Sequence, residues 1–114
     1  MLALEEWIAQ SDDDLEIWAS VTVGFDDDKS LVVKYEYVDY EEDTNNCETI
    51  AFVSVEDAYK MAKRLNVQLT ALPATIKKRC GYRSDQLVPS QVKASFKEVL
   101  NYIISCGVSY KFCR

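Results

Sequence analysis

The sequence predicts an α+β fold: a three- to four-stranded antiparallel sheet, a β-meander plus a C-terminal strand, with helices packed on one face. Three observations carry this expectation. Two early stretches alternate apolar and polar residues with period two, as half-buried strands do. Later stretches repeat apolar residues at helical spacing. The connections between the alternating stretches are short, which joins antiparallel neighbours. The 114 residues are a natural size for a single domain spanning 1–114 and suffice to bury a core.

In chain order, Leu2 to Ala9 reads as a short helix, because Leu4, Trp7 and Ile8 share a face at helical spacing. Leu15 to Phe25 alternates: Leu15, Ile17, Ala19, Val21, Val23 and Phe25 face one way, and Glu16, Trp18, Ser20 and Thr22 the other. Asp26, Asp27 and Asp28 form a turn, since Asp can hydrogen-bond its own backbone. Leu31 to Tyr40 is the next strand, with Leu31, Val33, Tyr35 and Tyr37 inward and Val32, Lys34, Glu36 and Val38 outward. An acidic loop from Asp39 to Cys47 leads into a strand over Glu48 to Val53.

Ser54 opens a helix, with Asp57 three residues on in the manner of a capping box. Val55, Ala58, Tyr59, Ala62 and Leu65 form its apolar stripe, and Lys60, Lys63 and Arg64 its other face. Pro73 suits the first turn of a helix that runs to Cys80, with Gly81 as its stop. Tyr82 to Val88 reads as a loop. Pro89 and Ser90 begin the strongest helix, whose stripe is Val92, Phe96, Val99, Leu100 and Ile103, and Gly107 ends it. Val108 to Phe112 alternates once more and is expected to close the sheet.

Charge is divided along the chain. Up to Asp57 there are 17 acidic residues against Lys29 and Lys34, a formal −15; from Ala58 onward there are 11 basic against two acidic, a formal +9. A split this large points to charged partners, unless the two halves neutralise each other on folding. No apolar run has the length of a bilayer span, so no membrane partner is expected. The N-terminus has no basic, apolar signal pattern, and an intact Met1 is expected of an unprocessed cytoplasmic chain. Cys47, Cys80, Cys106 and Cys113 are then expected to be reduced.

The residue inventory argues against most catalytic chemistry. There is no histidine, which removes Ser-His-Asp and Cys-His activation and the commonest metal ligand. No phosphate-binding glycine loop is present. The cysteines lack the close pairs of a zinc knuckle. Asp39, Glu41, Asp43 and Asn45 alternate as in a calcium loop, but Thr44 stands where that loop needs glycine and Ile50 where it needs a carboxylate. No cofactor, no metal and no enzymatic activity are expected.

Two surfaces remain as binding candidates. If the first hairpin turns about Asp27 and Asp28, Trp18 lies opposite Val38 and Glu16 opposite Tyr40 on the outer face. The candidate partner-binding set is therefore Trp18, Val38 and Tyr40 with Asp26, Asp27, Asp28, Glu36, Asp39, Glu41, Glu42 and Asp43, near Asp12 to Asp14. Aromatic anchors with a charged rim suit a protein interface. The expected function is a small acidic protein that inhibits or neutralises a basic, nucleic-acid-binding protein partner. Toxin-immunity proteins and phage-encoded nuclease inhibitors are analogous in size and charge, and in such proteins carboxylates stand in for phosphates. The alternative is direct nucleic-acid binding or assembly through Lys60, Lys63, Arg64, Lys77, Lys78 and Arg79, in a helix-turn-helix-like pair, although Pro73 would fall inside the recognition helix. A homo-oligomer that joins the acidic face of one copy to the basic face of another is a third reading.

Overall fold

The structure, a computed structural model, describes residues 3–11, 17–42, 46–81 and 87–113. Five strands form one antiparallel sheet in sequence order: β1 (Ala3–Gln10), β2 (Ile17–Phe25), β3 (Leu31–Asp39), β4 (Cys47–Val53) and β5 (Lys111–Cys113). Three helices, α1 (Val55–Leu65), α2 (Leu72–Cys80) and α3 (Pro89–Ser105), complete the α+β fold. The class is the expected one, and the sheet has one strand more than expected.

That extra strand is β1, which the spacing of Leu4, Trp7 and Ile8 presents as a helix. The register of β1 on β2 slips between Ala3 and Glu6 and again between Trp7 and Ala9. Each slip is a bulge, in which one extra residue breaks the two-residue period. Leu4 sits in the first with φ 54°. Around the second, Ile8 and Ala9 are both buried although adjacent. A doubly bulged edge strand thus imitates helical spacing, and the bulges twist it away from pairing with other chains.

The β2–β3 hairpin follows its alternation. The pairing runs without a slip from Ile17↔Asp39 to Phe25↔Leu31 and includes Trp18↔Val38. Its turn is tied by the Asp26 carboxylate, which accepts from the backbone N–H of Asp28 at 3.0 Å and of Ser30 at 2.9 Å. Lys29 takes the left-handed conformation there.

The helices cover the face that carries Ala19, Val21, Val23, Leu31, Val33, Ala51 and Val53. α3 lies across β1, β2 and β3, and α2 packs on β1 and β2. In α1 the buried residues are Ala58, Met61 and Ala62; Tyr59, expected in the stripe, is 60% exposed. The helix is turned so that unbranched Met61 fills the core instead, as Met readily does. Ser54 caps α1 by accepting from the Asp57 N–H at 3.2 Å. α2 starts at Leu72 with Pro73 in its first turn, after a 3₁₀ turn over Leu69–Ala71, and Gly81 ends it. All five residues of the expected α3 stripe are buried. Gly107 ends α3 at φ +81°, where a side chain would also run into the Arg64 guanidinium that caps the helix by donating to the Cys106 carbonyl at 3.0 Å. β5 begins at Lys111, three residues later than the alternation from Val108 implies.

One buried side-chain polar atom among the described residues has no partner, the Ser95 hydroxyl on α3. Ser95→Ala removes an unsatisfied group and favours the helix. It should raise the urea midpoint by the equivalent of about 0.5 to 1 kcal/mol. A drop of that size would show that the hydroxyl is bonded in solution.

Candidate functional site: the outer face of the sheet

With the helices on one side, the other side of the sheet carries no helix among the described residues. Strand pairing arranges its residues in rows. Gln10, Ser20, Glu36 and Glu48 stand across four strands; Trp7, Thr22, Lys34 and Ile50 form the next row; Val32 and Phe52 follow, with Gly24 beside Val32. Trp18 and Val38 lie at the opposite end, beyond the Ser20 row. Ser20, Thr22 and Val32 are buried by these neighbours.

The Trp7 and Trp18 rings meet at 6.0 Å between centroids with a tilt of 56°, a spacing in the range of favourable aromatic pairs. Trp7 remains 44% exposed and Tyr40, just past β3, 64% exposed. Lys34 stands between two carboxylates, 3.8 Å from Glu36 and 3.4 Å from Glu48. These are half-exposed pairs of small energy; their effect is to hold one cation within an acidic face. At the β3 end, Asp39 organises the loop by accepting from the Glu41 and Glu42 N–H groups at 3.0 and 3.1 Å, while its own N–H donates to Asn46 Oδ1 at 2.6 Å.

The structure therefore places Trp18, Glu36 and Val38 together on the outer face, with Tyr40, Glu41 and Glu42 just past the end of β3, whereas Asp39 has the inward parity of Tyr35 and Tyr37. It does not bring Asp26, Asp27 and Asp28 to them, which is a correction to the expected set. Those three turn the hairpin at the other end of β3, about 25 to 30 Å away for a nine-residue strand. Asp43, Asp12 to Asp14 and Glu16 lie outside the described residues. Two residues of the face were missed by reading the sequence. Trp7 was hidden by the bulges of β1, and Glu48 could have been found by carrying the β3 parity into β4, where it pairs with Glu36.

The basic set is dispersed over the helical side and largely engaged. Lys77 bridges to Glu6 at 3.3 Å, Arg79 lies 5.9 Å over the Tyr102 ring, Arg64 caps α3, and Lys60 is 3.9 Å from Asp57. Lys63 and Lys78 are exposed. Pro73 does not interrupt α2 as the helix-turn-helix reading assumed, because the helix starts there. Leu72 and Pro73 are instead buried, and the cations stand in the last turn, whereas a recognition helix presents its N-terminal residues to bases.

Among the cysteines, Cys47 is exposed and Cys80 and Cys106 are buried; all three are free thiols. Burial, then the nearby Glu98 and Cys106, push the Cys80 thiol up to about 11, against the opposing pull of Arg79. Such a thiol is inert at neutral pH. Among the described residues no group of three Asp, Glu or Cys side chains converges as metal ligands, and no helix is long and apolar enough to cross a membrane. Comparison of the chain with models of known families, with curated proteins and with solved structures returned no match.

Proposed function

We propose that this chain is a non-enzymatic binding protein that neutralises a basic, nucleic-acid-binding protein partner through the outer face of its sheet. The observation that carries this reading is the placement of all three helices on one side, which leaves Trp7 exposed against a half-buried Trp18 within an acidic surface. Tryptophan and tyrosine are enriched among the residues that anchor protein interfaces. The carboxylates of Glu36 and Glu48, with Glu41 and Glu42 at the end of β3, would steer a cationic groove onto the face and occupy its phosphate positions. The described ion pair that joins the helix layer to the sheet is Lys77–Glu6, and Glu36 and Glu48 share the single cation Lys34 on the outer face.

The test is affinity capture from the native cell with mass-spectrometric identification, followed by titration of the captured protein at several salt concentrations. Changing Glu41, Glu42 and Asp43 together to Lys should weaken binding at low salt at least about tenfold and flatten its salt dependence. Unchanged affinity and unchanged salt slope would reject the reading. Direct nucleic-acid binding by the helical side has less support, since four of its six cations already have partners within the chain. A low-salt gel shift with DNA and RNA separates the two, and sizing chromatography at low and high salt tests the head-to-tail oligomer.

A further inference from the structure

The outer face departs from ordinary sheet construction at one place. Glu36 stands directly across from Glu48, and like charges directly opposite each other weaken a strand pair. Lys34 meets both carboxylates, at 3.8 and 3.4 Å, so two anions share one ammonium. Lys111, which has the same outward parity, pairs with Phe52 two rows away. A local rule broken on a solvent-facing surface, with no gain to the fold, is the mark of a functional position. The tryptophans border the same place. Trp7 belongs to the row on one side of the Ser20 row and Trp18 to the row on the other, and Ser20 between them is 2% exposed. Glu36 faces Ser20 from β3, so the ring pair and the carboxylate flank one buried serine, about one strand spacing apart.

The chemistry of these groups selects the occupant. An indole attracts a cation through the face of its ring, and a carboxylate accepts two parallel hydrogen bonds from a guanidinium. A guanidinium is flat and weakly hydrated and can do both at once, whereas an ammonium is a compact, strongly hydrated point charge. The ammonium position between the two carboxylates is also already filled, by Lys34. We propose, resting on the partner-binding function above, that this patch seats an arginine side chain of the basic partner. Its guanidinium lies against the Trp7–Trp18 pair and donates to the Glu36 carboxylate, while Lys34 stays with Glu48. Each carboxylate then has its own cation, and the opposition of Glu36 and Glu48 is relieved. Glu41 and Glu42, just past β3, extend the negative field that draws an arginine-rich segment to the patch.

Trp7 and Trp18 are the only tryptophans of the chain, so their emission reports on this patch alone. The test titrates the full chain with capped hexa-arginine and hexa-lysine peptides at low salt and follows tryptophan fluorescence. Hexa-arginine should change the emission saturably, and hexa-lysine should bind at least about tenfold more weakly. Glu36→Gln should weaken hexa-arginine binding about tenfold without lowering the urea midpoint, since it removes one of two opposed charges. Lys34→Gln should tighten binding about threefold, because it releases both carboxylates; a gain of this kind cannot come from misfolding. The proposal is overturned if hexa-arginine does not saturate, if hexa-lysine binds equally well, if Glu36→Gln binds like the parent, or if Lys34→Gln binds more weakly. Emission that shifts with protein concentration alone would also overturn it and assign the face to a second copy of the chain. Equal binding of the two peptides removes the arginine anchor and leaves the acidic-face reading standing; that reading falls only on the salt titration of the captured partner.

Discussion

Replacing Ile103 by alanine should destabilise the fold by about 3 kcal/mol, whereas the same change one residue later, at Ile104, should cost less than about 0.5 kcal/mol. Ile103 is 0% exposed and Ile104 is 51% exposed. The two side chains have the same composition and nearly the same helix propensity, so the pair isolates burial. Ile103 belongs to the stripe with Val92, Phe96, Val99 and Leu100 that α3 lays across β1 to β3. Its truncation removes three carbon atoms from a packed layer and leaves a void that the strands cannot close. Urea unfolding of both variants measures the difference. A loss below about 1 kcal/mol at Ile103 would mean that α3 does not pack by this stripe.

Raising the pH above about 9 should progressively weaken the fold. The native state holds the Cys80 proton more tightly than the unfolded chain does, since the thiol is pushed from 9.0 up to about 11. The stabilisation is therefore fully present below about pH 9 and lost as pH rises through about 11. Two pH units correspond to at most about 3 kcal/mol. The Tyr35 and Tyr102 phenols are also raised, chiefly by burial, and act in the same direction at somewhat higher pH. Unfolding free energies measured from about pH 8 to pH 11 should fall less steeply in Cys80→Ala than in the parent. The comparison of slopes is independent of the cavity that the substitution leaves. Equal slopes would show that Cys80 ionises as freely in the folded protein as in the unfolded chain.

Much of this architecture was legible wherever the chain obeys one local period. The alternation from Ile17 to Phe25 and from Leu31 to Asp39 set the inward faces, and with the Asp-rich turn it led to Trp18 opposite Val38. The α3 stripe was read residue for residue, because a single helix face is buried against one surface. β1 was not legible: two bulges break the period there, and a bulge is recognised only by the partner strand that fails to match it. Tyr59 and Met61 exchanged roles because the rotation of α1 is set by what it packs against.

The candidate sites divide along the same line. Local pattern alone shows that acidic residues crowd the hairpin and its loops, that Trp18 and Val38 share a face, and that the cations belong mainly to the helices. Packing placed every described helix on the other side of the sheet, joined Trp7 to Trp18, and set Asp26 to Asp28 a strand length away from Tyr40. The physical reason is range: side-chain alternation and helical spacing are properties of neighbouring residues. Which face is covered, and which distant groups meet, depends on how whole elements bury their apolar surfaces against one another.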